Sequence, residues 1–204
     1  MNPVTRSLLP ICAATTVLIA ICPAPAEAHL NATGMGPVYD GMAHFLMSPE
    51  DVVPVLALAL LVGMRGASYG RRALFVLPAA WLLGGFVGLP ESATNGSAVL
   101  SAIWFLLLGG LLAADVRVSS VITTLLAVVL GLDKGYLNGA GMGQPGTAAL
   151  ALVGLLSAVF VMIAVVSAFV VTLRAEWARI AVRVAGSWIA ASGLLMLGWT
   201  FRAT

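Results

Sequence analysis

The chain carries very little charge for its length. Of 204 residues, 9% are charged and 61% are hydrophobic, and the mean hydropathy is +1.06. A water-soluble domain carries roughly 25% charged residues. Too few polar side chains are present to cover a water-facing surface. That excludes an ordinary soluble globule and makes the chain an integral membrane protein, with the lipid bilayer as its first partner. The net charge is only +2, and no basic cluster exceeds two adjacent residues. A nucleic-acid partner is thereby excluded.

Cysteine is also scarce. The two cysteines, Cys12 and Cys22, lie near the start, inside a stretch that reads as a secretory leader. "MNPVTR" supplies a short basic start at Arg6. "SLLPICAATTVLIAIC" is the apolar region, and "PAPAEA" ends in the small-x-small triplet Ala26-Glu27-Ala28. Residues 1–28 are therefore expected to be a cleaved signal peptide, with an uncleaved signal anchor as the alternative. Cleavage leaves His29 as the mature N-terminus and a mature chain without cysteine, which excludes disulfides and thiolate chemistry. No zinc-protease helix motif is present, nor any serine with a histidine partner recognisable by spacing. The chain does not read as an enzyme.

What is present is a series of long apolar runs. A spanning helix needs ~20 mostly apolar residues. Six runs follow the leader, at about 49–64, 73–90, 98–114, 118–138, 147–173 and 179–201. The expected fold is all-α, a polytopic membrane bundle of about six helices over 49–204. Residues 29–48 precede it as an outer amphipathic or re-entrant segment. With the mature N-terminus outside, Arg65, Arg71, Arg72, Arg117, Arg174, Arg179 and Arg183 fall inside, against Lys134 and Arg202 outside. The positive-inside rule supports this orientation. Acidic residues fall the other way: Asp40, Glu50, Asp51, Glu91 and Asp133 outside, against Asp115 and Glu176 inside. An outer vestibule that attracts cations is one explanation; outer loops that simply lack arginine are the other. Glycine patches such as Gly84-Gly85 and Gly109-Gly110 suit close helix packing and permit a homo-oligomer or a membrane-protein partner without requiring one. Pro54 and Pro78 fall inside helices. Trp81, Trp104, Trp177, Trp188 and Trp199 read partly as interfacial anchors.

Two polar stretches stand out. In "AHFLMSPED", Ser48 suits a helix N-cap and Pro49 the first helical position. Asp51 then sits where a carboxylate can reach back to the cap. Capping explains one carboxylate, but neither both carboxylates nor His44. Asp40 and His44 are four apart and share a helix face. Together with Glu50 and Asp51 they form a ligand set for a divalent metal, or else Asp40 merely holds an interfacial histidine. His29 could chelate copper or nickel through its own amine and imidazole. The second stretch is "LDKGYLNGAGMG", residues 132–143. Asp133 and Lys134 end an apolar run, and ionisable residues within a membrane are usually paired or functional. Lys134 and Asn138 share a helix face. The alternative is an ordinary helix end with a glycine-rich exit.

The two stretches together resemble the HupE/UreJ family of bacterial membrane proteins. Its first motif, a histidine, five residues, then Asp-His, is matched by His44, "FLMSP" and Glu50-Asp51. Its second, Phe-His-Gly-x-Ala-His-Gly-x-Glu, is matched by "DKGYLNGAG", residues 133–141. Gly135 and Gly139 are kept. Lys134 and Asn138 stand at its histidine positions and Gly141 at its glutamate. The resemblance implies a signal peptide, about six helices, an inner-membrane location with a periplasmic N-terminus, and nickel or cobalt uptake. The transported ion would be Ni2+, Co2+ or Cu2+, and no resident cofactor is implied. Because three imidazole positions are replaced, a non-transporting accessory or assembly protein is the rival. In that rival Lys134 pairs with Glu50 or Asp51 as a structural clasp. Asp133, Lys134 and Asn138 thus line either a transport path or a clasp.

Overall fold

The computed structural model describes residues 33–91, 96–142, 146–173 and 175–202. The expected signal peptide and His29 lie outside them. Among the described residues there are seven helices and no strands: α1 (Pro37–Met47), α2 (Pro49–Arg65), α3 (Ala67–Gly88), α4 (Ala98–Ala113), α5 (Ser120–Gly141), α6 (Ala148–Thr172) and α7 (Glu176–Arg202). The protein is a helical membrane bundle. The six apolar runs correspond to α2–α7, with α3 beginning at Ala67 rather than near 73. Four helices, α3, α5, α6 and α7, are long and apolar enough to cross a membrane. The pair α1 and α2 reaches that length only together, across a 76° bend. Helix α4 has 16 residues, about 24 Å at 1.5 Å per residue, against ~30 Å of hydrocarbon.

The bend has a local cause. Pro49 disfavours helical backbone at the preceding residue, and Ser48 is extended at φ −99°, ψ 93°. Ser48 stands at the N-terminus of α2, but its hydroxyl caps no amide of that helix. It turns back and donates to the His44 carbonyl at 2.8 Å. The expected cap is thus corrected: because α1 ends directly against α2, the hydroxyl serves an orphan carbonyl of the first helix.

Helix α2 occupies the middle of the bundle. Val55, Ala57, Leu58, Ala59 and Leu61 are fully buried, and α2 touches α1, α3, α4, α5, α6 and α7. It runs unbroken through Pro54, as α3 does through Pro78. Around it, helices pair through glycine. A Cβ at Gly135 would collide with the Trp81 carbonyl, one at Gly139 with that of Gly85, and one at Gly88 with that of Tyr136. Helices α3 and α5 therefore touch backbone to backbone, the contact that small residues permit in lipid. Gly109, Gly186 and Gly193 do the same between α4 and α7, and Gly41 and Gly154 between α1 and α6. The tryptophans divide. Trp177, Trp188 and Trp199 are exposed on α7. Trp81 and Trp104 are buried core residues rather than interfacial anchors. Trp81 meets Phe45 of α1 edge-on, with ring centroids 6.0 Å apart.

Candidate polar site at the acidic end of the bundle

At the end of the bundle where α2 begins and α5 finishes, three helices bring polar side chains together. Asp51 and Glu50 come from the first turn of α2, Ser101 from the first turn of α4, and Lys134 and Asn138 from α5. Lys134 is 1% exposed and Asp51 5%. The Lys134 ammonium lies 3.4 Å from Asp51 Oδ1, so the pairing expected across the first and fourth of the six predicted helices is present. Lys134 also donates to Ser101 Oγ at 3.3 Å, and Ser101 donates in turn to Glu50 Oε2 at 3.3 Å. Asn138 Nδ2 donates to Asp51 Oδ2 at 3.0 Å and to the Lys134 carbonyl at 2.8 Å. Asn138 Oδ1, also buried, has no partner among the described residues.

This placement follows from packing. Gly135 and Gly139, which press against α3, stand next in sequence to Lys134 and Asn138. The face of α5 that carries the polar pair is thereby fixed against α2. Asp51 turns its two oxygens to Lys134 and Asn138 inside the bundle instead of reaching back to cap its own helix. A buried charge without a partner is costly, and Asp51 and Lys134 pair with each other, with the Asn138 amide nitrogen donating to Asp51. Counted formally, two carboxylates face one ammonium, leaving one surplus negative charge near the exposed Glu50.

The other expected residues lie apart from this core. Asp133 accepts from Trp104 Nε1 at 2.8 Å, beside the cluster. Asp40 does not hold His44. Its Oδ1 accepts from the Thr33 amide at 2.6 Å and the Thr33 hydroxyl at 2.7 Å, because the chain entering α1 folds back over the helix N-terminus. His44 is half-buried on α1, within electrostatic reach of Asp51. Among the described residues no three His, Cys, Asp or Glu side chains come together as a metal-ligand group. His44, Glu50, Asp51 and Asp40 are therefore not assembled into one chelate here. Ser101 and Trp104 were not anticipated. Their signal is slight: one hydroxyl and one indole in an otherwise apolar run.

The opposite end, where α2 finishes, gathers arginine. Arg65 of α2 and Arg179 of α7 share Asp115 of the α4–α5 loop, Arg179 at 3.5 Å. Arg183 Nε donates to the Ala113 carbonyl at 3.0 Å. Asp115 itself adopts φ +50°, a conformation that Asp tolerates better than most residues.

No curated protein and no solved structure matches the chain. A family model described as HupE / UreJ protein matches residues 17–196, a span that includes every helix of the bundle except the end of α7. With both motif stretches inside that match, the chain belongs to the HupE/UreJ family.

Proposed function

We propose that this protein handles a divalent transition-metal cation of the nickel or cobalt type at the acidic end of the bundle. In this reading the acidic end faces the periplasm and the arginine end the cytoplasm of a bacterial inner membrane. The observation that carries it is the surplus carboxylate. Glu50 lies exposed beside a buried Asp51–Lys134 pair, so a cation meets net negative charge first and a fixed ammonium next. The ammonium holds the place a second positive charge would take, and a cation proceeds only when Lys134 moves off Asp51. His44, near Asp51, supplies the nitrogen ligand that favours nickel, cobalt or copper over hard cations.

A second reading rests on the same pair. Lys134 ties α5 to α2, and in an accessory or assembly protein that tie is a clasp with no cargo. Cell-associated nickel, cobalt and copper, measured with wild type, His44→Ala and Glu50→Gln, test the first reading. A fall for at least one metal is expected, and no change for any of the three would sink it. The paired change Asp51→Leu with Lys134→Met, which leaves no buried charge unpaired, separates the two: a gate yields folded protein with altered metal content, and a clasp yields folded protein with unaltered metal content.

A further inference from the structure

A groove runs between α3 and α6 on the outer surface at the arginine end. It encloses about 300 Å³. Its walls are Gly70, Leu74, Ala164, Ala168 and Val171, with Arg71 at the rim. The groove exists because its residues are small. Gly70 rests on Ser167, and a Cβ there would come within 3.1 Å of the Ser167 hydroxyl. One turn nearer the middle of the bundle, Phe75 and Phe160 meet edge-on at 6.2 Å, bridging the two helices and ending the gap.

Arg71 differs from Arg65 and Arg179. Arg65 and Arg179 share Asp115, whereas Arg71 forms no ion pair among the described residues. It is exposed, one guanidinium at the mouth of a slot whose only other polar side chain is Ser167. The surroundings are positive as well: Arg65, Arg71, Arg72, Arg117, Arg179 and Arg183 lie at this end, against Asp115 and Glu176. A ligand that fits has an anionic head at the level of the helix end and an apolar chain running down the helix surface. Guanidinium suits phosphate oxygens because its planar fork donates two parallel hydrogen bonds.

We propose that this groove binds one anionic glycerophospholipid of the surrounding leaflet, with its phosphate on Arg71 and the upper part of one acyl chain between α3 and α6. Such a site is independent of the polar cluster at the other end and of what that cluster handles.

The full-length protein in detergent, titrated with phosphatidylglycerol or phosphatidylcholine of identical acyl chains, tests this. Bound lipid is counted by native mass spectrometry. Wild type is expected to prefer phosphatidylglycerol by about fivefold, the effect of one basic residue near an anionic surface. Arg71→Gln is expected to erase the preference, and Ala168→Phe, which fills the slot, to lower retention of both lipids. Arg117→Gln, at the same end but away from the groove, is expected to leave the preference intact. Equal binding of the two lipids by wild type overturns the proposal. So does an unchanged preference in Arg71→Gln, or an equal loss in Arg117→Gln, which would mean diffuse charge rather than a site. Displacement of the lipid by millimolar inorganic phosphate would overturn the acyl-chain part. A change of oligomeric mass in Ala168→Phe would give the groove to a second copy of the chain instead.

Discussion

Both ends of α2 carry an ion pair, but the two are built differently. At the acidic end Lys134 and Asp51 are withdrawn from solvent, and the further contacts of the cluster run through one hydroxyl, that of Ser101, and one amide, that of Asn138. At the arginine end the same helix offers Arg65 to Asp115, a carboxylate that also takes the half-exposed Arg179. One end has a matched pair that excludes replacements; the other has spare cations around a shared anion. Burial, rather than the number of contacts, makes the first sensitive and the second tolerant, because a lost partner is replaced by water only where water can reach.

The comparison is tested most severely by Asp51→Leu. It leaves the Lys134 ammonium buried without its carboxylate, and about 3–5 kcal/mol of stability should be lost, read as a lower thermal transition in detergent. The double change Asp51→Leu with Lys134→Met should recover most of that loss, since a well-packed apolar pair often matches a buried ionic one. Failure of the double variant to recover would mean that the cluster does more than neutralise itself. Next in size is Gly135→Ala, whose methyl meets the Trp81 carbonyl and must push α3 from α5. A loss of about 1–3 kcal/mol is expected, and an unchanged transition would contradict the backbone contact. At the arginine end, Asp115→Asn keeps a residue tolerant of positive φ and removes only the charge. It should cost no more than about 1 kcal/mol, because the Asp115 carboxylate and Arg179 are partly solvated. A loss as large as that of Asp51→Leu would erase the contrast between the two ends. Smallest of all, Asp40→Asn should leave the transition unmoved, since its hydrogen bonds to Thr33 lie at the surface.

The bundle was legible because lipid imposes a coarse rule: runs of apolar residues must be helices. That Lys134 pairs with Glu50 or Asp51 was legible from the resemblance, which sets the ammonium and the two carboxylates at positions of the family's two motifs; which of the two carboxylates it takes was not. Where several partners competed, spacing misled. Asp40 and His44 share a helix face, yet the chain preceding α1 brings Thr33 to the carboxylate first. Ser48 has the identity of a cap, but a cap needs free amides ahead of an uncrowded helix start, and α1 leaves its own carbonyl waiting there. Ser101 and Trp104 were illegible because one hydroxyl or indole in an apolar run gains meaning only from what faces it. Gly84 and Gly109 were read correctly as packing residues, whereas a Cβ at Gly110 would meet nothing within 4 Å. That Gly135 and Gly139 also orient Lys134 and Asn138 could be seen only once α3 was in place.

Asp51 and Arg65 stand fourteen residues apart on one continuous helix, about 21 Å along its axis; Asp51 is held by α5 and Arg65 by the α4–α5 loop. The central helix is therefore pinned like an axle in two bearings. Turning it by a single residue, about 100°, would pull both pins at once, so rotation is the motion it resists most. Tilting about the tight bearing at Asp51 displaces only the looser one, where a second arginine stands ready to keep hold of Asp115.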